Sequence, residues 1–409
     1  MICPVLFGPA RQPYLGDGPD ELPTAILDQA AAHLAPHGSL VLFSGAGVVG
    51  GRDEFQQAAA DRTGHARRHA GTETGREPAG MGGTIVGMRH AMTITAMTAA
   101  PTDAIDAALI DLGRALRETG YEFTTVTPAT HERVNRRPQN QRACGPRDVF
   151  GWSRPFGPGV LPERIVELMD AAGVLRRDGD EWRSTVRFSS YDGELFVHSA
   201  FPTDAEDSVF FGPDTYRMAD AVAAHVESRA HPIRRAVDIG CGTGAGAITV
   251  AKRAPEAGVL AVDINPAALR LARINAELAG TPGVLPCRSD LLDDVDGEFD
   301  LIFSNPPFMI DPAGRAYRHG GAHGHELSMA IIDAAAERLA PDGCLVLFAG
   351  TGIVGGTDPF RQAAAERLAG TGLRWDYREW DPDVYDEELD GPAYAHAERI
   401  ALVLLTATR

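Results

Sequence analysis

The stretch Arg235-Ala-Val-Asp-Ile-Gly-Cys-Gly-Thr-Gly-Ala-Gly246 decides the fold of this chain. A short apolar run carries one carboxylate, alternating glycines follow, and an apolar segment comes next, which is typical of a strand, a tight loop and a helix. Gly240, Gly242 and Gly244 allow a ligand to approach the backbone closely, and Asp238 is placed to receive a ligand ammonium or to order the loop. Close packing of a helix on a strand also selects glycine, so the loop alone predicts only a nucleotide-type ligand.

Polar residues also end the next two strand-like runs. Gly258-Val-Leu-Ala-Val-Asp263 ends in an acid nineteen residues past Gly244, and an acid at this distance accepts hydrogen bonds from both hydroxyls of a free ribose. Ser289 and Asp290 close the following run, where the carboxylate is placed to accept from an adenine amino group, although Ser-Asp is also an ordinary helix cap. Because open parallel sheets bind ligands at their carboxyl edge, the spacing predicts one adenosine ligand.

A fourth run, Phe299-Asp-Leu-Ile-Phe-Ser304, brings Asn305-Pro-Pro-Phe308 to the same edge. A planar nitrogen has a delocalised lone pair, so it attacks a methyl donor well only when acceptors hold its N–H groups. The side-chain oxygen of Asn305 and the carbonyl of Pro306 are suited to be those acceptors, and Phe308 can stack on the planar group. A Pro-Pro pair is also a common strand stop. Together with the glycine loop, the motif predicts methyl transfer to a planar nitrogen without a general base.

On these motifs, residues 185–409 resemble the class I S-adenosylmethionine-dependent methyltransferases, in particular the branch of release-factor glutamine N5-methyltransferases and small-domain rRNA guanine methyltransferases. Phe210-Phe-Gly-Pro-Asp-Thr-Tyr-Arg217 is similar to the Pro-Asp-Thr segment before their nucleotide domain, and Tyr317-Arg-His-Gly-Gly321 looks like the glycine-rich segment behind their Asn-Pro-Pro motif. Two positions depart from the pattern of the glutamine enzymes. Phe308 stands in place of a tyrosine, and Tyr216 in place of the acid that usually follows Pro-Asp-Thr.

The resemblance implies an α/β protein with a Rossmann-like, seven-stranded class I methyltransferase sheet and a smaller α+β, winged-helix-like N-terminal domain. The implied cofactor is S-adenosyl-L-methionine, and no metal is expected. The expected site residues are Asn305, Pro306 and Phe308 for catalysis, Asp238, Gly240, Gly242, Gly244, Asp263, Ser289, Asp290 and Thr215 for the cofactor, and Pro307, Tyr317 and Arg318 for the substrate.

The N-terminal region contains an internal repeat. Residues 34–51 nearly copy residues 339–356, and the match continues from residues 55–60 to 360–365 at a constant offset of 305. No glycine loop or ribose acid precedes the copy, so residues 1–62 are expected to be a degenerate repeat of the methyltransferase C-terminal half. Two interpretations stay open: the tail of a tandem paralogue, or a dimerisation element. The first predicts that a chain without residues 1–96 keeps its activity.

The remaining divisions follow from composition and periodicity. Residues 63–100 are rich in Gly, Thr, His and Arg and are predicted to be a linker. Residues 101–200 are predicted to form the substrate-side α+β domain, with helices near 105–116 and 161–170, a wing at 173–184 and a hairpin that turns at Asp192-Gly193. Residues 201–409 are predicted to be the S-adenosylmethionine-binding catalytic domain.

Composition and charge indicate which classes of binding partner to expect. The net charge of −18 repels polyanions, so nucleic acid is possible but disfavoured, and a small-molecule or protein methyl acceptor is expected. No apolar stretch is long enough to span a bilayer, and the five scattered cysteines indicate reduced thiols, so a cytoplasmic enzyme without a membrane partner is expected. A homodimer is possible through the duplicated helix.

Three charged clusters keep alternatives open. An Arg-rich loop with three aromatic residues favours either phosphate contact or ion pairs to the acidic body: Arg133, Arg136, Arg137, Arg142, Arg147 and Arg154, with Phe150, Trp152 and Phe156. The acidic loop 381–390 is placed to attract a cationic substrate or is simply solvated. The cluster His319, His323, His325 and Glu326 lies in a glycine-rich setting that favours a mobile substrate loop over a metal site.

The sequence therefore predicts an S-adenosylmethionine-dependent N-methyltransferase for a planar amide or guanidine nitrogen of a protein side chain or an amino-acid-like small molecule. One alternative is methylation of an exocyclic nitrogen of an RNA base, guanine or adenine. The other is a non-catalytic S-adenosylmethionine-binding partner protein.

Overall fold

The computed structural model describes residues 103–311 and 317–409. The predicted repeat at 1–62 and the predicted linker at 63–100 lie outside these residues. Residues Met97–Arg409 belong to one compact unit. Its first part, up to residue 199, contains helices α1 to α4 and two antiparallel hairpins, and its second part contains a seven-stranded sheet.

The helices of the first part come before its two hairpins in the chain. The elements are α1 (Ala104–Glu118), α2 (Pro128–Asn135), a short 3-10 turn (Pro138–Asn140), α3 (Pro146–Phe150), α4 (Glu163–Ala171), β1 (Leu175–Asp178), β2 (Glu181–Ser184), β3 (Val186–Tyr191) and β4 (Glu194–Ser199). β1 pairs with β2, and β3 pairs with β4. The predicted wing is therefore a two-stranded hairpin. The turn between β3 and β4 contains Asp192 and Gly193 at φ of 50° and 77°, as a two-residue hairpin turn requires.

Sequence periodicity explains why α1 forms and what it buries. Asp103 caps the helix, since its Oδ1 accepts the N–H of Asp106 at 2.8 Å. Ala108, Leu109 and Leu112 are buried on one face of the predicted helix. Ile105 lies on the same face by helical spacing but is 49% exposed in the first turn.

The second part contains the remaining elements. They are α5 (Pro213–Ser228), β5 (Arg235–Ile239), α6 (Ala245–Arg253), β6 (Gly258–Asp263), α7 (Pro266–Leu278), β7 (Val284–Arg288), β8 (Phe299–Ser304), α8 (Glu326–Arg338), β9 (Leu339–Ile353), α9 (Pro359–Leu368), β10 (Arg374–Asp381), two 3-10 turns (Asp386–Asp390 and Pro392–Tyr394) and β11 (Arg399–Thr408).

The sheet has the strand order β10-β11-β9-β8-β5-β6-β7. The pairs among β9, β8, β5, β6 and β7 are parallel, and β11 is antiparallel to both of its neighbours. The central strands β5 and β8 are buried along most of their length, as parallel strands usually are, whereas the edge strand β10 is largely polar. The α/β, Rossmann-like seven-stranded sheet predicted from the sequence is confirmed.

Helix α7 joins the two parts. Its residues Ala268, Leu271, Ile274 and Leu278 pack into the same apolar cluster as α1, α4 and the hairpin β3-β4. The carboxylate of Asp106 is 1% exposed and accepts hydrogen bonds from two arginines of this helix: Arg270 at 2.6 Å and Arg273 at 2.7 Å. The first part is therefore fixed against the cofactor-side helices of the sheet.

Candidate functional site

The register of the sheet brings the two decisive motifs together. Ile239 at the end of β5 pairs with Ser304 at the end of β8, and the hydroxyl of Ser304 donates to the carbonyl of Ile239 at 2.6 Å. The residues that follow these strands, Gly240 and Asn305, therefore emerge side by side. They line a cavity of about 220 Å³ at the carboxyl edge of the sheet.

The glycine loop turns in front of this cavity. Gly240, Gly242 and Gly244 have φ of 69°, 52° and 77°, a region that favours glycine. A Cβ atom at Gly240 or Gly242 would meet nothing within 4 Å, so the space before them is open to a ligand. A Cβ at Gly244 would lie 3.1 Å from the Cβ of Ala272 on α7. Gly244 therefore allows close helix packing, which was the other reason the sequence offered for glycine in this loop.

Asp238 lies behind the loop, with 1% of its surface exposed. Its Oδ2 accepts the N–H of Ala247 at 3.1 Å in the first turn of α6. Burial raises the pKa of its carboxyl to about 7, and the nearby charge of Asp263 acts in the same direction. Of the two roles expected for Asp238, this contact corresponds to ordering the loop.

Asp263 faces the cavity at the end of β6. Its Oδ2 accepts the N–H of Gly242 at 3.0 Å, and its Oδ1 accepts the N–H of Asn265 at 2.9 Å. Burial raises the pKa of this carboxyl, while these backbone donors act against the shift. Two carboxylate oxygens have more acceptor capacity than these two bonds use, so the residue can still receive a pair of hydroxyls.

Ser289 and Asp290 follow β7 on the same rim. The hydroxyl oxygen of Ser289 is buried and accepts the N–H of Asp294 at 3.1 Å, so this side chain shapes the turn. Asp290 is exposed, and it also lines the cavity. The orientation of the two side chains therefore leaves Asp290 as the member of the pair that a ligand can reach.

Asn305 is held in one orientation by a residue that the sequence analysis passed over. Its Nδ2 donates to Oδ2 of Asp214 at 3.2 Å. A carboxylate accepts hydrogen bonds, so this contact fixes the amide nitrogen toward Asp214 and leaves Asn305 Oδ1 as a buried acceptor without a partner among the described residues. The other carboxylate oxygen of Asp214 is also buried without a partner. The only sequence signal for Asp214 was its place in the Pro-Asp-Thr segment.

The rest of the Asn-Pro-Pro-Phe motif forms the wall beside Asn305. Pro306, Pro307 and Phe308 all line the cavity. The ring of Phe308 is 6% exposed and lies directly on β9, where a Cβ at Gly350 would come within 2.3 Å of it. Gly350 therefore makes room for this ring, and the motif is fixed to the neighbouring strand.

The start of α5 supports the same wall. Thr215 Oγ1 accepts the N–H of Gly212 at 3.2 Å and so closes the first turn of the helix. The hydroxyl of Tyr216 accepts the N–H of Thr125 at 2.9 Å, which links α5 to the first part of the chain. Tyr216, which replaces the expected acid, therefore connects the start of α5 to the segment between α1 and α2.

Two expected substrate residues lie on the loop behind the motif. The Tyr317 hydroxyl donates to the carbonyl of Thr203 at 2.6 Å, and its ring stacks on Phe210 at 6.0 Å between centroids. Arg318 pairs with Glu388 of the acidic loop. Both Tyr317 and Arg318 line the cavity.

Tyr385 was also missed by the sequence analysis. It lies in the acidic loop, lines the cavity and places its ring 6.2 Å from that of Phe308. Its backbone has φ 56° and ψ 44°, a left-handed conformation that is uncommon outside glycine. Nothing in the sequence marks this residue except its position in the acidic loop. Asp381 of that loop pairs with Arg217 at 2.8 Å, so part of its charge is already neutralised.

The Arg-rich loop is largely occupied by internal contacts. Arg136 pairs with Glu132 at 2.6 Å, Arg142 with Glu181 at 3.0 Å and Arg154 with Asp148 at 2.6 Å. The three aromatic residues of the loop are 0 to 8% exposed, so their rings serve the core: Phe150, Trp152 and Phe156. These contacts agree with the second interpretation of this loop, in which its arginines form ion pairs within the protein.

Three members of the histidine cluster stay close together, and the rings of His323 and His325 lie 6.0 Å apart. His323 Nδ1 lies 2.6 Å from Oε1 of Glu326, while the ring of His325 stacks on Phe360. His319 Nδ1 accepts the N–H of Asp311 at 3.4 Å. Across residues 103–311 and 317–409, no group of three or more His, Cys, Asp or Glu side chains is arranged to hold a metal ion.

Comparisons with known proteins agree with this geometry. Residues 217–353 match the model of the family described as the Methyltransferase small domain. This stretch runs from α5 to the end of β9 and includes the glycine loop, Asp263 and Asn305. The predicted resemblance to class I methyltransferases, with S-adenosylmethionine as the cofactor, is confirmed at the level of this domain.

Three curated relatives show how far the similarity extends. A release factor glutamine methyltransferase of Deinococcus radiodurans is 37% identical over 28% of this chain and 44% of its own length. A ribosomal protein L11 methyltransferase of Thermotoga neapolitana is 48% identical over 41% of this chain and 53% of its own length. A ribosomal RNA small subunit methyltransferase C of Haemophilus influenzae is 40% identical over 20% of this chain and 25% of its own length. The chain thus spans about half the length, or less, of these relatives.

Within the described residues, none of the helices is both long enough and apolar enough to cross a membrane.

Proposed function

We propose that this protein is an S-adenosylmethionine-dependent N-methyltransferase that acts on a planar amide or guanidine nitrogen of a protein side chain or of an amino-acid-like small molecule. The observation that carries the proposal is the unpartnered, buried Oδ1 of Asn305 in the wall of the cavity. A buried acceptor without a partner costs free energy, and a substrate N–H group would supply the missing bond.

The residues present fit the cofactor. Open space lies before Gly240 and Gly242, Asp263 has acceptor capacity for the ribose hydroxyls, and Asp290 is exposed on the same rim. Thr215 lines the cavity beside them. When bound, S-adenosylmethionine supplies an activated methyl group on a sulfonium sulfur. The chain's own residues then have to align the acceptor and exclude water.

Asn305 aligns the acceptor through its fixed side-chain amide. Since Asp214 already occupies the Nδ2 group, Oδ1 points to the acceptor side without having to reorient. An acceptor fixed in advance favours the geometry in which the nitrogen lone pair is free to attack, and groups of this kind contribute about 10²- to 10³-fold in rate. Pro306 offers a second acceptor in its carbonyl, and the wall of Phe308 and Tyr385 fits the flat face of the group.

The contacts of the Arg-rich loop favour a protein or small molecule over RNA. Three of its six arginines pair with carboxylates and its aromatic rings are buried, so base stacking is not prepared there and phosphate contact has few free cations. The net charge of −18 also opposes a polyanion. The elements from α1 to β4 border the cavity through Pro128, and we assign acceptor selection to this substrate-side part.

The test is transfer of a tritiated methyl group from S-adenosylmethionine into a cell lysate that is then separated into protein, RNA and small molecules. Label in protein or small molecules that is lost with Asn305→Ala supports the proposal. Label in RNA would show the base-methylating alternative instead. If no fraction contains label that depends on Asn305, the result contradicts methyl transfer and favours a cofactor-binding partner protein.

A further inference from the structure

The side chain of Asp214 lies beside that of Asn305 in the wall of the cavity. It stands in the first turn of α5, lines the cavity and is 7% exposed. Its Oδ2 receives the amide of Asn305 at 3.2 Å, while its Oδ1 is buried without a well-formed hydrogen bond in the part of the chain that the structure describes. The backbone N–H groups of Asp214 and Thr215 lie close enough to the carboxyl to lower its pKa. The nearest arginine on the same helix, Arg217, pairs with Asp381 instead. Asp214 is therefore a buried carboxylate without an ion pair.

Two unpartnered acceptor atoms thus belong to side chains that are bonded to each other: Asn305 Oδ1 and Asp214 Oδ1. Burying both without partners is unfavourable, and a primary amino group carries the two N–H donors that would satisfy them. A secondary or tertiary nitrogen carries too few donors. The pair therefore favours an acceptor with an NH₂ group, as in a primary amide, a guanidine or an exocyclic base amine.

We propose that Asp214 is a second catalytic residue, which binds one N–H of the acceptor NH₂ group and takes up the proton that this nitrogen loses. The inference rests on the proposed methyl transfer. When the nitrogen lone pair forms the new N–C bond, the methyl–sulfur bond breaks with its electron pair on sulfur, and the nitrogen becomes positively charged. The N–H bond then breaks, its electron pair stays on nitrogen, and the proton moves to Asp214 Oδ1.

The surroundings of Asp214 support this role. Burial raises the pKa of its carboxyl, against the opposing effects of the Asn305 amide, backbone N–H groups of its own turn and the charge of Arg217. From the acidic loop, the Tyr385 hydroxyl faces it, with Arg318 and Glu387 next to that tyrosine. A carboxylate of raised pKa is a better proton acceptor near neutral pH than an ordinary aspartate.

Asp214→Asn tests the inference in the full chain, because it keeps the shape and converts the free oxygen into an N–H donor. The acceptor is the fraction labelled in the lysate experiment. We expect kcat to fall about 100-fold or more, while the affinity for S-adenosylhomocysteine, measured by calorimetry, stays within about threefold. Asp220→Asn is the matched control. Asp220 is exposed on the same helix, and its carboxylate accepts the Tyr191 hydroxyl.

The pH dependence separates proton uptake from simple positioning of Asn305. In the wild type, kcat should fall on the acid side as Asp214 becomes protonated, and this limb should be absent in Asp214→Asn. Loss of less than about threefold in kcat, or an acid limb that persists in the variant, would overturn the inference.

Infrared difference spectra of the wild type and Asp214→Asn, recorded without any acceptor, give a second readout. The carboxylic acid band of Asp214 should titrate above the ordinary aspartate range of about 3.9. Absence of label in the wild type would contradict the proposed function, whereas this titration tests the protonation of Asp214 independently of turnover. A pKa in the ordinary range would refute proton uptake by Asp214.

Discussion

The two halves of the cavity differ in how their polar atoms are satisfied. On the cofactor side, both carboxylate oxygens of Asp263 already accept backbone N–H groups, and the glycine loop is fixed by helix packing at Gly244. On the acceptor side, Asn305 and Asp214 bond to each other and each leaves one buried oxygen without a partner. The protein therefore prepares the cofactor half in advance and leaves the acceptor half to be completed by the substrate.

This difference predicts that changes in the acceptor half alter turnover and changes in the cofactor half alter affinity. Asn305→Ala should have the largest effect, a loss of about 10²- to 10³-fold in kcat, because it removes a fixed acceptor. The affinity for S-adenosylhomocysteine should stay within about threefold in calorimetry. Asn140→Ala is a control far along the chain, where the side chain bonds only to the carbonyl of Val134. A large loss of affinity in Asn305→Ala would remove the distinction between the halves.

The stability of the cofactor half should depend on pH through Asp238. Its folded pKa of about 7 lies above the ordinary value, so the folded state binds the proton more tightly than the unfolded state. The contribution is full below about pH 4 and is lost as the pH rises through about 7, on the order of 3 kcal/mol. Urea unfolding at pH 5 and pH 8 should show this loss in the wild type and a smaller one in Asp238→Asn. Equal pH dependence in both would contradict the shift.

Asp263→Ala should weaken cofactor affinity about 10- to 100-fold, or roughly 1.4 to 3 kcal/mol, since charge-assisted hydrogen bonds are lost. Asp300→Ala is the matched control. Asp300 also accepts two backbone N–H groups, from Arg234 and Arg235, but at the opposite end of the strands. Calorimetric titration should find its affinity unchanged, and equal losses in both variants would indicate that Asp263 acts only on stability.

Gly244→Ala and Gly280→Ala compare the two reasons for glycine in the cofactor half. Both residues have positive φ, but a Cβ at Gly280 meets nothing within 4 Å, whereas one at Gly244 meets Ala272 at 3.1 Å. We expect a free-energy loss of about 1 kcal/mol for Gly280→Ala and about 2 kcal/mol for Gly244→Ala, because crowding adds to the strain. Denaturant unfolding measures both. Equal losses would show that the contact with α7 is unimportant.

The smallest effect is expected at the Arg-rich loop. Reversing the charge of Arg136 and Arg137 should change methyl transfer by less than about threefold, because exposed ion pairs contribute little. Arg136 is already held by Glu132. Loss of activity in the labelled-methyl assay would instead favour an RNA acceptor and would move substrate recognition to this loop.

Most of the fold could be predicted because its signals are local. Apolar runs followed by glycine, ending in aspartate or followed by asparagine identified the strands β5, β6 and β8, and helical spacing identified α1. The hairpin at Asp192-Gly193 followed from turn chemistry alone. Contacts between segments far apart in sequence were not predictable in this way. The bond between Asn305 and Asp214 spans 91 residues, and Tyr385 reaches the cavity from a loop with no motif of its own.

By itself, the sequence determined the type of sheet, and it predicted the carboxyl edge as the site and the residues for an adenosine-type cofactor. Both follow from strand ends and glycine turns, which are features of short stretches. Only the tertiary structure decided the role of each side chain. It turned Asp238 and Ser289 inward to order backbone, buried the aromatic rings of the Arg-rich loop, and set Asp214 against Asn305. Which oxygen keeps a partner depends on the neighbours that folding brings together, and no single stretch of sequence contains those neighbours.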